Sequence, residues 1–309
     1  MLANYLNKSK PINFIGILVF FIICFLTTVS SHLFNTGFSG EKLLKSFILL
    51  MLFLSVFFFY NFILSKNKLT FDNSYAYLLF TLFIICILPE LTSYKTLILA
   101  IIYLFFLRKI YSLRSHKKVI QKLFDSGFWL GILFILEPIS ILFFILVFTA
   151  VILHLKITLH TLFTAVIGFI APLFIYFTYF FWFDKTEEFT RLFNFDFNID
   201  IQIYTQTKLF WFFVCIFTSS LFSIFFKSVE TIGVSNTFRR SWTLLIINFF
   251  IILLFLALLP AKNGSEIIFI LFPASVIITN GIELIKKNII KNLILFGFLF
   301  GSIFFCFFL

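Results

Sequence analysis

The chain has 309 residues, of which 61% are apolar and only 12% charged, with a mean hydropathy of +1.11 and 54 phenylalanines. Soluble domains run at about 45–50% apolar and about 25% charged, so a soluble enzyme is excluded and a lipid-embedded helical protein is indicated. The formal charge of +11 would suggest nucleic acid in a soluble chain. In a membrane chain it reads as cytoplasmic loops rich in Lys and Arg, and no nucleic-acid partner is expected.

Apolar runs fall at about 12–31, 44–64, 74–89, 94–108, 124–137, 138–155, 161–183, 209–226, 242–259, 267–284 and 292–309. Lys8 and Lys10 precede the first run, which is long for a signal peptide and lacks a clean small-x-small end, so a retained helix is expected. The runs predict an all-α bundle of about 11 helices, several of them short, in a single integral membrane domain over 1–309. Phe128–Leu155 holds Glu137-Pro138, and is either one kinked span or two short helices meeting at the proline. With two helices and the N-terminus inside, 17 of the 24 lysines and arginines are cytoplasmic; one span leaves only 14. The positive-inside rule therefore selects two helices. It places Glu137 near the outer face and the C-terminus outside, in a bacterial inner membrane.

The loop over 108–123 carries Arg108, Lys109, Arg114, Lys117, Lys118 and Lys122. It reads as a topogenic anchor, or as a site for anionic lipids or lipid phosphates formed by Arg108, Lys109 and Arg114. In the outer loop over 184–208, Thr186–Phe193 has a short amphipathic helical pattern. From Phe193 to Ile203, apolar residues alternate strictly with Asn194, Asp196, Asn198, Asp200 and Gln202. Period two predicts a strand, whose polar face would meet a partner or a glycan, or whose phenylalanines would lie on the bilayer. Trp182, Trp211 and Trp242 are expected in interfacial belts. Gly127-x3-Gly131 and Gly297-x3-Gly301 both allow close helix contact. Cys24, Cys86, Cys215 and Cys306 lie in apolar runs without pairing spacing and read as small hydrophobes.

No nucleotide-binding loop or dinucleotide fingerprint is present, and the four histidines lack ligand spacing, so neither a metal nor another cofactor is expected. Acids at membrane depth are the default candidates for chemistry. Glu137, beside a helix break that admits water, is the main one. Glu41 is the acid of the first outer loop, Glu90 occupies an outer turn after Pro89, and Asp125 reads as the N-cap of the helix that follows it.

Residues 89–146 carry a resemblance. Pro89-Glu90 at an outer turn is followed by a short helix closing on Leu107-Arg108, a basic loop, Asp125-Ser-Gly-Phe-Trp-Leu-Gly131, and Glu137-Pro138 before another apolar helix. This order resembles the middle of GT-C glycosyltransferases, membrane enzymes that use polyprenyl-phosphate sugars on the outer face. The whole chain also resembles an uncharacterised family of short bacterial inner-membrane proteins, in which segments like LFDSGFW (123–129) and the end of the 161–183 run recur. The GT-C resemblance implies an acid base in the first outer loop, to which Glu41 corresponds by position, and Lys42 or Lys45 to stabilise the departing phosphate. The pattern departs in offering one acid there, near the second helix, and in having no large soluble domain.

Three functions are therefore open. The first is a GT-C-like transferase with a polyprenyl-phosphate-linked sugar as substrate. The second is a non-catalytic scaffold docking an envelope protein through its outer loop. The third is a lipid or small-molecule transporter, for which mid-membrane polar residues and repeats are scarce. All three have membrane lipids as partners.

Overall fold

The computed structural model describes residues 2–32, 34, 37–154, 157–195, 197, 199, 202–205, 207–231, 233 and 235–308. Each of the eleven apolar runs is a helix. Nine helices among the described residues are long and apolar enough to cross a membrane, and Tyr75–Cys86 and Pro138–His154 are shorter apolar helices. The chain is thus an all-α, multi-pass membrane protein. Its helices are α1 (Leu2–Leu6), α2 (Pro11–His32), α3 (Gly40–Asn67), α4 (Tyr75–Cys86), α5 (Tyr94–Ser112), α6 (Val119–Leu136) and α7 (Phe144–His154). There follow α8 (Leu159–Trp182), α9 (Thr186–Thr190), α10 (Gln202–Thr205), α11 (Thr207–Thr231), α12 (Asn236–Leu258), α13 (Ile268–Glu283) and α14 (Asn288–Phe308).

Local chemistry sets several boundaries. The Ser39 hydroxyl accepts from the Lys42 amide at the start of α3, and Thr158 forms a reciprocal capping box with Thr161 at the start of α8. At Glu137 the backbone turns extended (φ −148°, ψ 97°) because Pro138 disfavours helix at the residue before it. Pro138 then opens a short 3-10 turn, Pro138–Phe143, that leads into α7. The stretch is therefore two helical segments rather than one kinked span.

Two expectations are corrected. Asp125 is not an N-cap: α6 starts six residues earlier at Val119, and Asp125 lies within the helix, where its carboxylate meets Lys109 Nζ at 2.6 Å. The helix outruns its apolar stretch because its polar first turns find partners: Lys122 Nζ donates to the Ser112 carbonyl and, at 2.6 Å, to the Ser115 hydroxyl. The second correction concerns Phe193–Ile203, which forms no strand among the described residues. Arg191–Phe193 is a 3-10 turn and Gln202–Thr205 is α10, while Asp196, Asn198, Asp200 and Ile201 lie outside the described residues. A lone alternating segment has no second strand to satisfy its amides. Its phenylalanines pack instead, with the Phe193 and Phe195 rings 5.9 and 6.3 Å from that of Phe134. The amphipathic pattern before it is realised as α9 and that turn, whose Leu192 joins Phe134 and Leu173 in one cluster.

The chain divides into two compact units. The first comprises 1–97, 201–234 and 263–309, and the second 98–200 and 235–262. In the first, every residue of α4 is buried, and α4 and α13 form the centre. There the Tyr60 ring stacks on Phe80 at 3.8 Å, and its hydroxyl contacts Ser275 Oγ at 2.7 Å and donates to the Ala76 carbonyl at 3.0 Å. Such polar bonds matter in lipid because no water competes for them.

In the second unit, α6 and α8 meet through glycines. A Cβ on Gly127 would lie 2.0 Å from the Ala165 carbonyl oxygen, and one on Gly168 would lie 2.2 Å from that of Phe124. Elsewhere in this unit Tyr103 donates to Asn248 Oδ1 at 2.8 Å, and Phe143 packs on Phe255. Of the tryptophans, Trp182 and Trp211 are exposed as belt residues are, whereas Trp242 is only 3% exposed and belongs to the core.

Candidate functional site

The most organised polar cluster of the first unit lies where the α4–α5 turn meets residues 263–266. Asn263 Oδ1 accepts from the amide and the hydroxyl of Ser265 at 3.1 and 2.6 Å, folding the turn back on itself. Gly264 sits at φ +86°, a conformation that side chains disfavour, and a Cβ there would also press Leu209 at 2.9 Å. This turn presents Glu266, which is only 6% exposed. One carboxylate oxygen accepts from the Tyr204 hydroxyl at 2.5 Å and the Gly264 amide at 3.2 Å; the other accepts from the Asn263 amide at 3.2 Å. Burial and the neighbouring Glu266 charge push the Tyr204 hydroxyl well above the ordinary tyrosine range, which keeps it a donor.

A second carboxylate also stands beside Gly264. The turn after α4 is closed by the Glu90 amide donating to the Ile87 carbonyl at 3.0 Å. That turn brings the Glu90 side chain into van der Waals range of the Gly264 Cα hydrogens: a Cβ built there would lie 3.7 Å from Glu90 Cγ and 3.9 Å from its Oε2. Two acids far apart in the sequence thus approach one glycine. The Thr96 and Ser265 hydroxyls, 2.8 Å apart, tie α5 to the same turn. Beside it, Phe25, Thr28, Val29, Leu49, Phe53, Leu88, Leu91 and Thr92 line an apolar crevice between α2, α3 and the α4–α5 turn.

The residues singled out from sequence fall as follows. Glu41 is exposed in the first turn of α3, where Lys42 Nζ donates to the Gly37 carbonyl at 2.9 Å and Lys45 Nζ lies 5.9 Å over the Tyr94 ring. Lys45 stands one helical turn before Leu49, which lines the crevice. Glu137, in the second unit, is the half-buried C-cap of α6. Arg108, Lys109 and Arg114 share α5 and the 3-10 turn Leu113–Ser115 that extends it, with Lys109 held by Asp125. Asn194 is exposed after its 3-10 turn and Gln202 opens α10. Glu266 and Tyr204 are absent from that selection. In the sequence Glu266 is one of several acids in loops between apolar runs, and only the Asn-Gly-Ser turn ahead of it marks a fixed backbone.

A helical, multi-pass membrane chain with buried polar turns between its helices is thereby defined. It belongs to a family of unknown function (DUF6427), whose model matches residues 1–309. No curated protein and no solved structure matches it.

Proposed function

We propose that this protein is a GT-C-like glycosyltransferase of the bacterial inner membrane, with its N-terminus in the cytoplasm, its C-terminus outside, and its reaction at the outer face. The observation that carries this reading is the pairing of Glu90, the acid of the turn that resembles GT-C enzymes, with buried Glu266 around Gly264. Glu90 acts as the base: it takes the proton of an acceptor hydroxyl whose oxygen bonds to the anomeric carbon of a polyprenyl-phosphate sugar. The bond from that carbon to the phosphate oxygen breaks, and polyprenyl phosphate leaves with the electron pair. Glu266, its oxygens engaged by Tyr204 and two amides, positions the turn. Lys45 and Lys42, on the α3 side of the crevice, counter the leaving phosphate. Glu41 and Glu137 are the competing candidates for the base.

The test is mass spectrometry of envelope glycans and glycolipids in a deletion strain complemented with wild type, Glu90→Gln, Glu41→Ala or Glu137→Gln. A single sugar lost on deletion, restored by wild type and not by Glu90→Gln, sustains the reading; failure of Glu41→Ala or Glu137→Gln instead moves the base. Unchanged glycans in the deletion strain would sink it. One observation favours a non-catalytic assembly factor: Phe197 and Ile199 in the outer loop are 60% and 72% exposed, an apolar edge suited to an envelope partner. In that case Phe197→Asp abolishes co-purification of the partner while every glycan is intact.

A further inference from the structure

Glu266 lies just ahead of α13, and both its oxygens have donors. Glu283, the last residue of α13, differs. Its Oε1 accepts from the Phe71 amide at 3.0 Å and the Asn73 side-chain amide at 2.6 Å, whereas Oε2 is buried with no hydrogen-bond partner among the described residues. Two oxygens of the fully buried preceding turn, Asn280 Oδ1 and Thr279 Oγ1, are bare in the same way. Asn280 donates from Nδ2 to the Leu69 and Val276 carbonyls at 3.0 and 2.9 Å; both partners can only accept, so the amide cannot be turned round. Thr279 lacks the bond back to the preceding turn that Thr81 and Ser275 make.

Positions 279, 280 and 283 are neighbours on one helix face. The Leu69 carbonyl held by Asn280 and the Phe71 amide held by Glu283 are separated by a single residue, so the two side chains meet the α3–α4 loop side by side. α11 packs tightly on this end of α13, where a Cβ on Gly281 would lie 2.4 Å from Ser223 Oγ. One turn along α11, buried Lys227 lies 5.2 Å over the Phe71 ring and binds Glu230 at 2.6 Å. The Lys227–Glu230 pair cancels, which leaves the Glu283 charge in excess. Buried oxygens without donors beside such a charge are unfavourable unless one positive charge joins them. A proton bridges two oxygens at most, whereas a hard metal cation takes several.

We infer that Glu283 Oε2, Asn280 Oδ1 and Thr279 Oγ1 form a binding site for one monovalent metal cation of the sodium class. The single carboxylate supplies one charge, which matches a monovalent ion, and the two neutral oxygens replace part of its hydration shell. Through Asn280 and Glu283 the bound ion ties the end of α13 to the α3–α4 loop.

The test is thermal unfolding of the full-length protein in a non-ionic detergent, titrated with sodium chloride against N-methyl-D-glucamine chloride, whose bulky cation cannot enter, at matched ionic strength. The expected result is saturable stabilisation by sodium alone. Glu283→Gln keeps an acceptor for Phe71 and Asn73 and replaces the bare oxygen by a donor. It should be as stable without sodium as wild type is with it, and respond to neither salt. Thr279→Val removes a bare hydroxyl without changing its shape, so it folds and weakens the apparent sodium affinity about tenfold. Asp72→Asn, an exposed acid of the same loop that accepts from Ser9, leaves that affinity unchanged. The site does not exist if sodium stabilises no more than N-methyl-D-glucamine, or if Thr279→Val and Asp72→Asn behave alike. Stabilisation by acid in place of sodium overturns it too, because a proton then satisfies Glu283.

Discussion

Gly127-x3-Gly131 and Gly297-x3-Gly301 have the same spacing and opposite surroundings. The first pair lies against α8 so closely that a Cβ on either glycine would fall within 2.5 Å of a carbonyl oxygen, whereas neither Gly297 nor Gly301 has anything within 4 Å of its built Cβ. The difference is in what faces them. α8 offers Ala165, Gly168 and the bend-tolerant Pro172, small or ring-shaped residues that let the backbones approach. α14 meets α4 through Phe83 and Phe298 on its other side, and leaves its glycines on a face with exposed Phe300 and Phe304. A small-residue motif therefore sets helix contact only where the partner is small as well. The seam of α3, α4 and α13 is made without glycine, from Tyr60, Phe80 and Ser275.

That contrast orders the expected effects of substitution. Gly127→Leu drives side-chain atoms into the Ala165 carbonyl and should destabilise by more than about 3 kcal/mol, read as loss of the monodisperse detergent-solubilised protein. Gly168→Ala adds one methyl where the Phe124 carbonyl would be 2.2 Å away; about 2 kcal/mol is expected in thermal unfolding. Tyr60→Phe keeps the 3.8 Å ring stack but deletes the hydroxyl's bonds to Ser275 and the Ala76 carbonyl, for about 1 kcal/mol. Gly297→Leu should fall within about 0.5 kcal/mol of wild type. An effect of Gly297→Leu as large as that of Gly127→Leu would break the comparison, and equal effects of Tyr60→Phe and Gly168→Ala would blur it.

The eleven helices and the break at Pro138 were legible because a membrane span is written in local hydropathy, and because proline constrains the residue before it whatever lies around it. Features that depend on a distant partner were not. The alternation of Phe193–Ile203 has a strand's period, but the Phe193 and Phe195 rings contact that of Phe134 and no second strand exists among the described residues to pair with it. Trp242 carries the composition of a belt residue and the burial of a core one. Asp125 follows the apolar count only if α6 starts there, and Lys109 meets it from α5 instead. Glu41 and Glu90 were visible as acids near turns. Glu266 was missed because its significance comes from Tyr204 and from a turn folded back on its own carboxylate.

The buried helix α4 also has a bearing on how the chain is made. Its 12 residues extend about 18 Å, against a hydrocarbon layer of about 30 Å. It cannot hold its ends in the membrane by its own length. Its enclosure in the first unit comes from α2 before it and from α13 and α14 nearly two hundred residues later, and the Tyr60–Ser275 contact on the same seam spans 215 positions. A ribosome that has released α4 must still synthesise most of the chain before the walls of its niche exist. Nascent chains stalled before α13 should accordingly be cleaved by protease in detergent between α3 and α5, and chains extended through α14 should resist. Maturation of the amino-terminal third is thus a late event in biosynthesis, set by the arrival of the carboxy-terminal helices.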